Sequence, residues 1–140
     1  MNPIELLQSI YLGDRACKSI LIDSWVSEVV LTVDLISRVR EPTGHWNFYS
    51  DENIVDGRLV FTGVSYFSVV PNGLIPNDLI NQMDVRALDK VSKTDNDQYE
   101  FLISIDSVDT FGNHTEVEVK IVANGFHLED PKQPSIEIID

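Results

Sequence analysis

Two runs near the C-terminal end constrain this chain more than any other feature. In the first, Tyr99, Phe101, Ile103 and Ile105 alternate with Glu100, Ser104 and Asp106, and Leu102 is the apolar exception. In the second, Val117, Val119, Ile121 and Ala123 alternate with Glu116, Glu118 and Lys120. A period of two places every second side chain on the same face of a strand, so each run has one apolar and one wet face. The link Asp109-Thr110-Phe111-Gly112-Asn113 is short and contains glycine, so the runs are expected to form an antiparallel hairpin with one face in water.

The rest of the chain reads as further strands after one helix. Asn2, Pro3 and Glu5 supply an N-cap, an N1 proline and an N3 acid, the makings of a capping box. Ile4, Leu7, Ile10 and Tyr11 then recur at helical spacing and Gly13 offers a stop, which predicts a helix of about ten residues. Residues 17–22 form a short strand candidate that ends in a turn at Asp23-Ser24. Residues 28–36 are rich in β-branched side chains and read as a strand near the middle of a sheet. Residues 40–57 form a long irregular connection with room for one short edge strand.

Between Arg58 and Val70 the alternation shifts phase at Gly63, which predicts a β-bulge there. Pro71-Asn72-Gly73 reads as a turn, Pro76-Asn77-Asp78 as the start of a brief helical turn through Leu79, Ile80 and Met83, and Asp84–Val91 as a weak strand. Asn124-Gly125 is expected to be a tight turn, and Ile136 and Ile138 to lie in a final edge strand. The expected fold is a single α+β domain over residues 1–140. Its sheet is predominantly antiparallel and strongly curved, with about six or seven strands and the N-terminal helix packed on it.

Charge narrows the function. The chain has 23 acidic and 10 basic residues in 140, a formal net charge of −13, and its 43% hydrophobic content favours a folded body over a disordered acidic chain. Residues 76–140 hold fourteen of the acids. Such a surface repels nucleic-acid phosphates and attracts basic partners. The one cysteine, Cys17, precludes an intrachain disulfide, and its apolar flanks predict a buried thiol. The opening residues do not resemble a signal peptide and no run reaches membrane-spanning length, so the expected location is the cytoplasm, without membrane association.

The sequence has no G-x-G-x-x-G, no G-x-x-x-x-G-K-[ST], no H-E-x-x-H and no C-x-x-C. His45, His114 and His127 lie far apart and read as histidines making ordinary hydrogen bonds rather than as metal ligands. Asp95-Asn96-Asp97 with Glu100 lacks the glycine of a calcium loop and reads as an acidic turn between strands. No cofactor, metal or catalytic residue is therefore expected.

Two sets of residues are candidates for protein binding. The first is electrostatic: the outward strand residues Glu100, Asp106, Glu116 and Glu118 with Asp95 and Asp97 beside them. The second is aromatic: Trp46 and Tyr49 in the polar connection, ringed by Asp51, Glu52 and Asp56, and Phe111 at the hairpin tip. The competing role for Trp25 and for the group Trp46, Phe48 and Tyr49 is to cap an open end of the core.

The order of helix, Gly13-Asp14, strand ending at Asp23, alternating strand 28–36 and closing Val122-Ala123-Asn124-Gly125-Phe126-His127-Leu128-Glu129 resembles small bacterial proteins of the polymorphic-toxin immunity group and related uncharacterised families from similar gene neighbourhoods. The resemblance implies a cytosolic, non-enzymatic inhibitor that binds a cognate toxin, often a nuclease. It carries no residue roles. An uncharacterised structural or ligand-binding protein, or a hydrolase, is the alternative.

Overall fold

The computed structural model describes residues 1–38 and 53–139. In chain order they form α1 (Pro3–Gln8), β1 (Ile10–Tyr11), β2 (Cys17–Asp23), β3 (Glu28–Val33), β4 (Leu35–Arg38), β5 (Asn53–Val55), β6 (Arg58–Thr62), β7 (Tyr66–Val70), β8 (Ile80–Ala87), β9 (Tyr99–Val108), β10 (His114–Ala123) and β11 (Gly125–Glu129). The α+β class and the antiparallel pairing agree with the sequence. The single, strongly curved sheet does not. The strands fall into three separate sheets, none closed or strongly curled, with orders β7-β10-β9-β8, β11-β6-β3-β2 and β1-β4-β5.

The physical reason lies at three corners, where the chain leaves one sheet for another. Asp34 bends the run predicted over 28–36, so β3 stays in one four-stranded sheet and β4 enters the three-stranded one. Gly63, with φ of 60°, does not bulge a continuous strand but turns the chain from β6 into β7 of the opposite sheet. Asn124-Gly125 is likewise a bend rather than a hairpin turn, passing the chain from β10 to β11. The last two corners lie side by side. Val64 N–H donates to Ser27 O at 2.8 Å, Ser65 N–H to Val122 O at 2.9 Å and Asn124 N–H to Thr62 O at 3.0 Å. Their backbone groups are thus satisfied although the strand ladders end there.

The two four-stranded sheets enclose the core. From one come Phe101, Ile103, Ile105, Val117, Val119 and Ile121, and from the other Val29, Leu31, Val33, Leu59, Phe61 and Leu128, all buried. Phe61, Phe101 and Phe126 form an aromatic cluster that joins the sheets, with ring centroids 4.8 to 5.3 Å apart. Arg58 faces Glu129 at the end of the β6–β11 ladder and pairs with it at 2.5 Å.

The N-terminal helix has the anticipated capping box: Asn2 Oδ1 accepts from Glu5 N–H at 2.8 Å, and the Glu5 carboxylate accepts from Asn2 N–H at 3.3 Å. It spans six residues rather than ten, because Ile10–Tyr11 is drawn into β1 beside β4. Ser9, not Gly13, is its C-cap, and Leu6 is its fully buried residue. The helix packs against β8 and β11.

Three further expectations change. Residues 80–83 extend as part of β8 instead of making a helical turn. Ile136 lies outside any strand, and Ile138 makes one isolated bridge to Leu128. Trp25 does not cap the core: it sits in the β2–β3 turn with 95% of its surface exposed.

Candidate functional site

The expected hairpin is β9–β10, paired from His114↔Val108 to Ala123↔Tyr99. With β8 and β7 on its two sides it presents a broad outer face. Register sets the rows on that face. Asp106 lies opposite Glu116; Gln82, Ser104 and Glu118 form the next row; Asp84, Leu102 and Lys120 the third; Arg86, Glu100 and Val122 the fourth. The strands of this sheet supply Asp84, Glu100, Asp106, Glu116 and Glu118 as acids, against Arg86, Lys120 and His114 as basic residues.

The two ends of the face differ. At one end Arg86 Nε and Nη2 reach Glu100 Oε1 and Oε2 at 3.0 and 3.3 Å, a two-point pair. The hydrogen bond from Arg86 holds the Glu100 carboxyl below its ordinary range, against an opposing desolvation effect and with help from the charges of Arg86 and Lys120. That acid is internally neutralised. At the other end Asp106 and Glu116 carry like charge directly across the ladder, an arrangement that costs stability. Ser104 Oγ donates to Glu116 and Asn81 Nδ2 donates to Asp106 Oδ1 at 2.7 Å. Neither Asp106 nor Glu116 pairs with a lysine or arginine among the described residues. A shallow depression of about 160 Å³ opens there, lined by Gln82, Asp84, Leu102, Ser104, Glu116 and Glu118.

The structure therefore brings Asp106, Glu116 and Glu118 together and separates them from the other sequence candidates. Asp95 and Asp97 occupy the loop before β9. Asp95 Oδ2 accepts from Ser92 N–H at 2.8 Å, and Asp97 pairs with Lys90 at 2.7 Å, raising the lysine above its ordinary pKa. Phe111 projects from the hairpin tip with 89% of its surface exposed. Trp46 and Tyr49 lie outside the described residues.

Sequence reading missed Asp84, Asp78 and His114 as neighbours of this face. Asp84 was hidden by the low strand signal of β8. Pro76-Asn77-Asp78 reads in sequence as the start of a helical turn, which gives Asp78 no place beside this face. In fact Asn77 and Asp78 N–H both donate to Asp106 O, at 3.1 and 3.0 Å, and the Asn77 amide pairs with both backbone groups of Val108. His114 opens β10, with Nδ1 3.6 Å from Asp106 Oδ2. No signal in sequence spacing points to that meeting.

No helix among the described residues is long and apolar enough to cross a membrane. No curated protein and no solved structure matches the chain. A family model, described as a family of unknown function (DUF6258), matches residues 1–140, and the chain belongs to that family.

Proposed function

We propose that this protein is a non-enzymatic binding module that engages a basic protein partner, a cognate toxin such as a nuclease being the class implied by its sequence resemblance. The observation that carries the reading is the unbalanced end of the β8–β9–β10 outer face, where Asp106 and Glu116 oppose each other and Glu118 and Asp84 lie close by. Folding gains nothing from like charges held across a ladder, whereas a cationic surface laid over them relieves the repulsion. Steering by such a patch raises association rates by about 10- to 1,000-fold at low salt. Phe111 at one edge adds an exposed ring of the kind that anchors interfaces.

The test is capture from host cells at low and high salt, followed by association kinetics of the captured partner with the wild type and with Glu116→Lys/Glu118→Lys. The expected result is a basic partner released by salt, whose association with the double variant slows by at least about tenfold at low salt. An association rate unchanged at low salt rejects this face as the binding surface.

A further inference from the structure

We propose that Asp78, Asp106 and His114 form a binding site for a divalent first-row transition metal ion. Their candidate ligand atoms, one imidazole nitrogen and two carboxylate oxygens, all lie within 4.8 Å of one another. They come from three separate segments: the residue pair leading into β8, the centre-to-end of β9 and the first residue of β10.

The backbone around the two carboxylates is firmly held. Asp78 N–H donates to Asp106 O, and Asp78 O accepts from Cys17 N–H at 2.9 Å, so this residue is fixed between two strands on either side. The Asn77 amide clamps the same segment to Val108. Asn81 occupies Asp106 Oδ1, which leaves Oδ2 as the oxygen nearest the imidazole. An outer partner that fixes a carboxylate in this way is the usual support of a metal ligand. The Asp78 carboxylate takes no hydrogen bond or ion pair from the described residues.

Donors around an ion with bonds of about 2.1 Å stand about 3 to 4 Å apart; His114 Nδ1 and Asp106 Oδ2, at 3.6 Å, already meet this, while the set as a whole spans up to 4.8 Å. The His114 side chain, 58% exposed at the start of β10, is not enclosed by the core and is the part of the set with most room to adjust. The donor set fixes the class of ion. An imidazole with two carboxylates suits zinc, manganese, iron, cobalt or nickel, whereas calcium prefers an all-oxygen shell with more ligands. Three protein donors leave positions for water.

The experiment is isothermal titration of chelator-treated protein with Zn²⁺ and separately with Ca²⁺, repeated on His114→Ala, Asp78→Asn and, as a control, the exposed Asp89→Asn. The expected result is saturable one-to-one Zn²⁺ binding that weakens by at least about tenfold in the first two variants and stays unchanged in Asp89→Asn, with Ca²⁺ weaker than Zn²⁺ by at least about tenfold. Absence of saturable binding, equal binding by His114→Ala, or Ca²⁺ binding as tightly as Zn²⁺ overturns the site. Should Asp78→Asn fail to fold by circular dichroism, the exposed His114→Ala variant decides the question. No protein partner enters these titrations, so their outcome is separate from that of the association experiment.

Discussion

The rings of Phe61 and Phe101 meet edge to face, with centroids 4.8 Å apart and planes at 75°, and each ring belongs to a different four-stranded sheet. Both are fully buried. With the Phe101–Phe126 pair beside it, this contact joins the two layers across their shared core, so it bears on how the sheets pack rather than on either sheet's own ladder. Phe101→Ala removes the ring and leaves a cavity between layers that the paired backbones hold apart. The expected cost is about 3–5 kcal/mol, seen as a lower urea midpoint with secondary structure retained before the transition. A cost below about 1 kcal/mol would show that the sheets close over the gap.

Gly63 carries the turn from β6 to β7 at φ of 60°, and a Cβ placed there comes within 2.7 Å of the Asn124 side chain at the adjoining corner. Gly73 has φ of 87° but open space around it. Alanine at either position bears backbone strain, and only at Gly63 does it also push on a neighbour. Gly63→Ala is expected to cost about 1–3 kcal/mol and to exceed Gly73→Ala in paired denaturation curves. Equal costs would mean that Asn124 moves aside freely.

The Cys17 thiol is buried, and burial pushes its pKa up to about 11, with a weak opposing effect from its hydrogen bond to Ser19 O. The folded state therefore keeps the thiol protonated where the unfolded chain, near the ordinary thiol value of 9.0, has begun to ionise. The folded pKa is the higher one, so this contribution to stability is fully present below pH about 9 and falls as pH rises toward about 11. Alkylation at pH 8 should accordingly be slow in buffer and accelerate through the urea transition. Reaction in buffer at the rate of a free thiol would contradict burial.

The β9–β10 hairpin and the capping box were legible because each rests on local rules: period-two alternation for one and the identities of Asn2, Pro3 and Glu5 for the other. The division into three sheets was not. A phase shift at Gly63 looks the same in sequence whether it bulges one strand or turns a corner between two, and only the distant partners Ser27 and Val122 distinguish them. Pro76-Asn77-Asp78 imitates a helix start, yet the Asn77 amide binds the Val108 backbone instead of capping its own segment. The candidate site divides in the same way. Alternation put Asp106, Glu116 and Glu118 on one face, but Glu100 found Arg86 through a strand with little sequence signal, and His114 reached Asp106 and Asp78 only through the β8–β9–β10 register.

Asp109 organises the hairpin tip that presents Phe111. Its Oδ1 accepts from Phe111 and Asn113 N–H at 2.8 and 2.9 Å, and Oδ2 from the Asn113 amide at 3.2 Å. These bonds to the charged form, led by that from the Asn113 backbone, hold the carboxyl below its ordinary value of 3.8. The folded pKa is the lower one, so the contribution to stability is present above pH about 4 and is lost as pH falls through the depressed value. Amide exchange at Phe111 and Asn113, corrected for the intrinsic pH dependence of exchange, should stay protected at pH 6 and lose protection selectively in acid, before the β9–β10 ladder opens. Asp109→Ala should show the same local loss already at pH 6, with ladder protection intact. If the tip amides of that variant remain as protected as in the wild type, the turn is held by Gly112 N–H donating to Asp109 O and Asp109 N–H donating to Asn113 O, and the carboxylate is incidental.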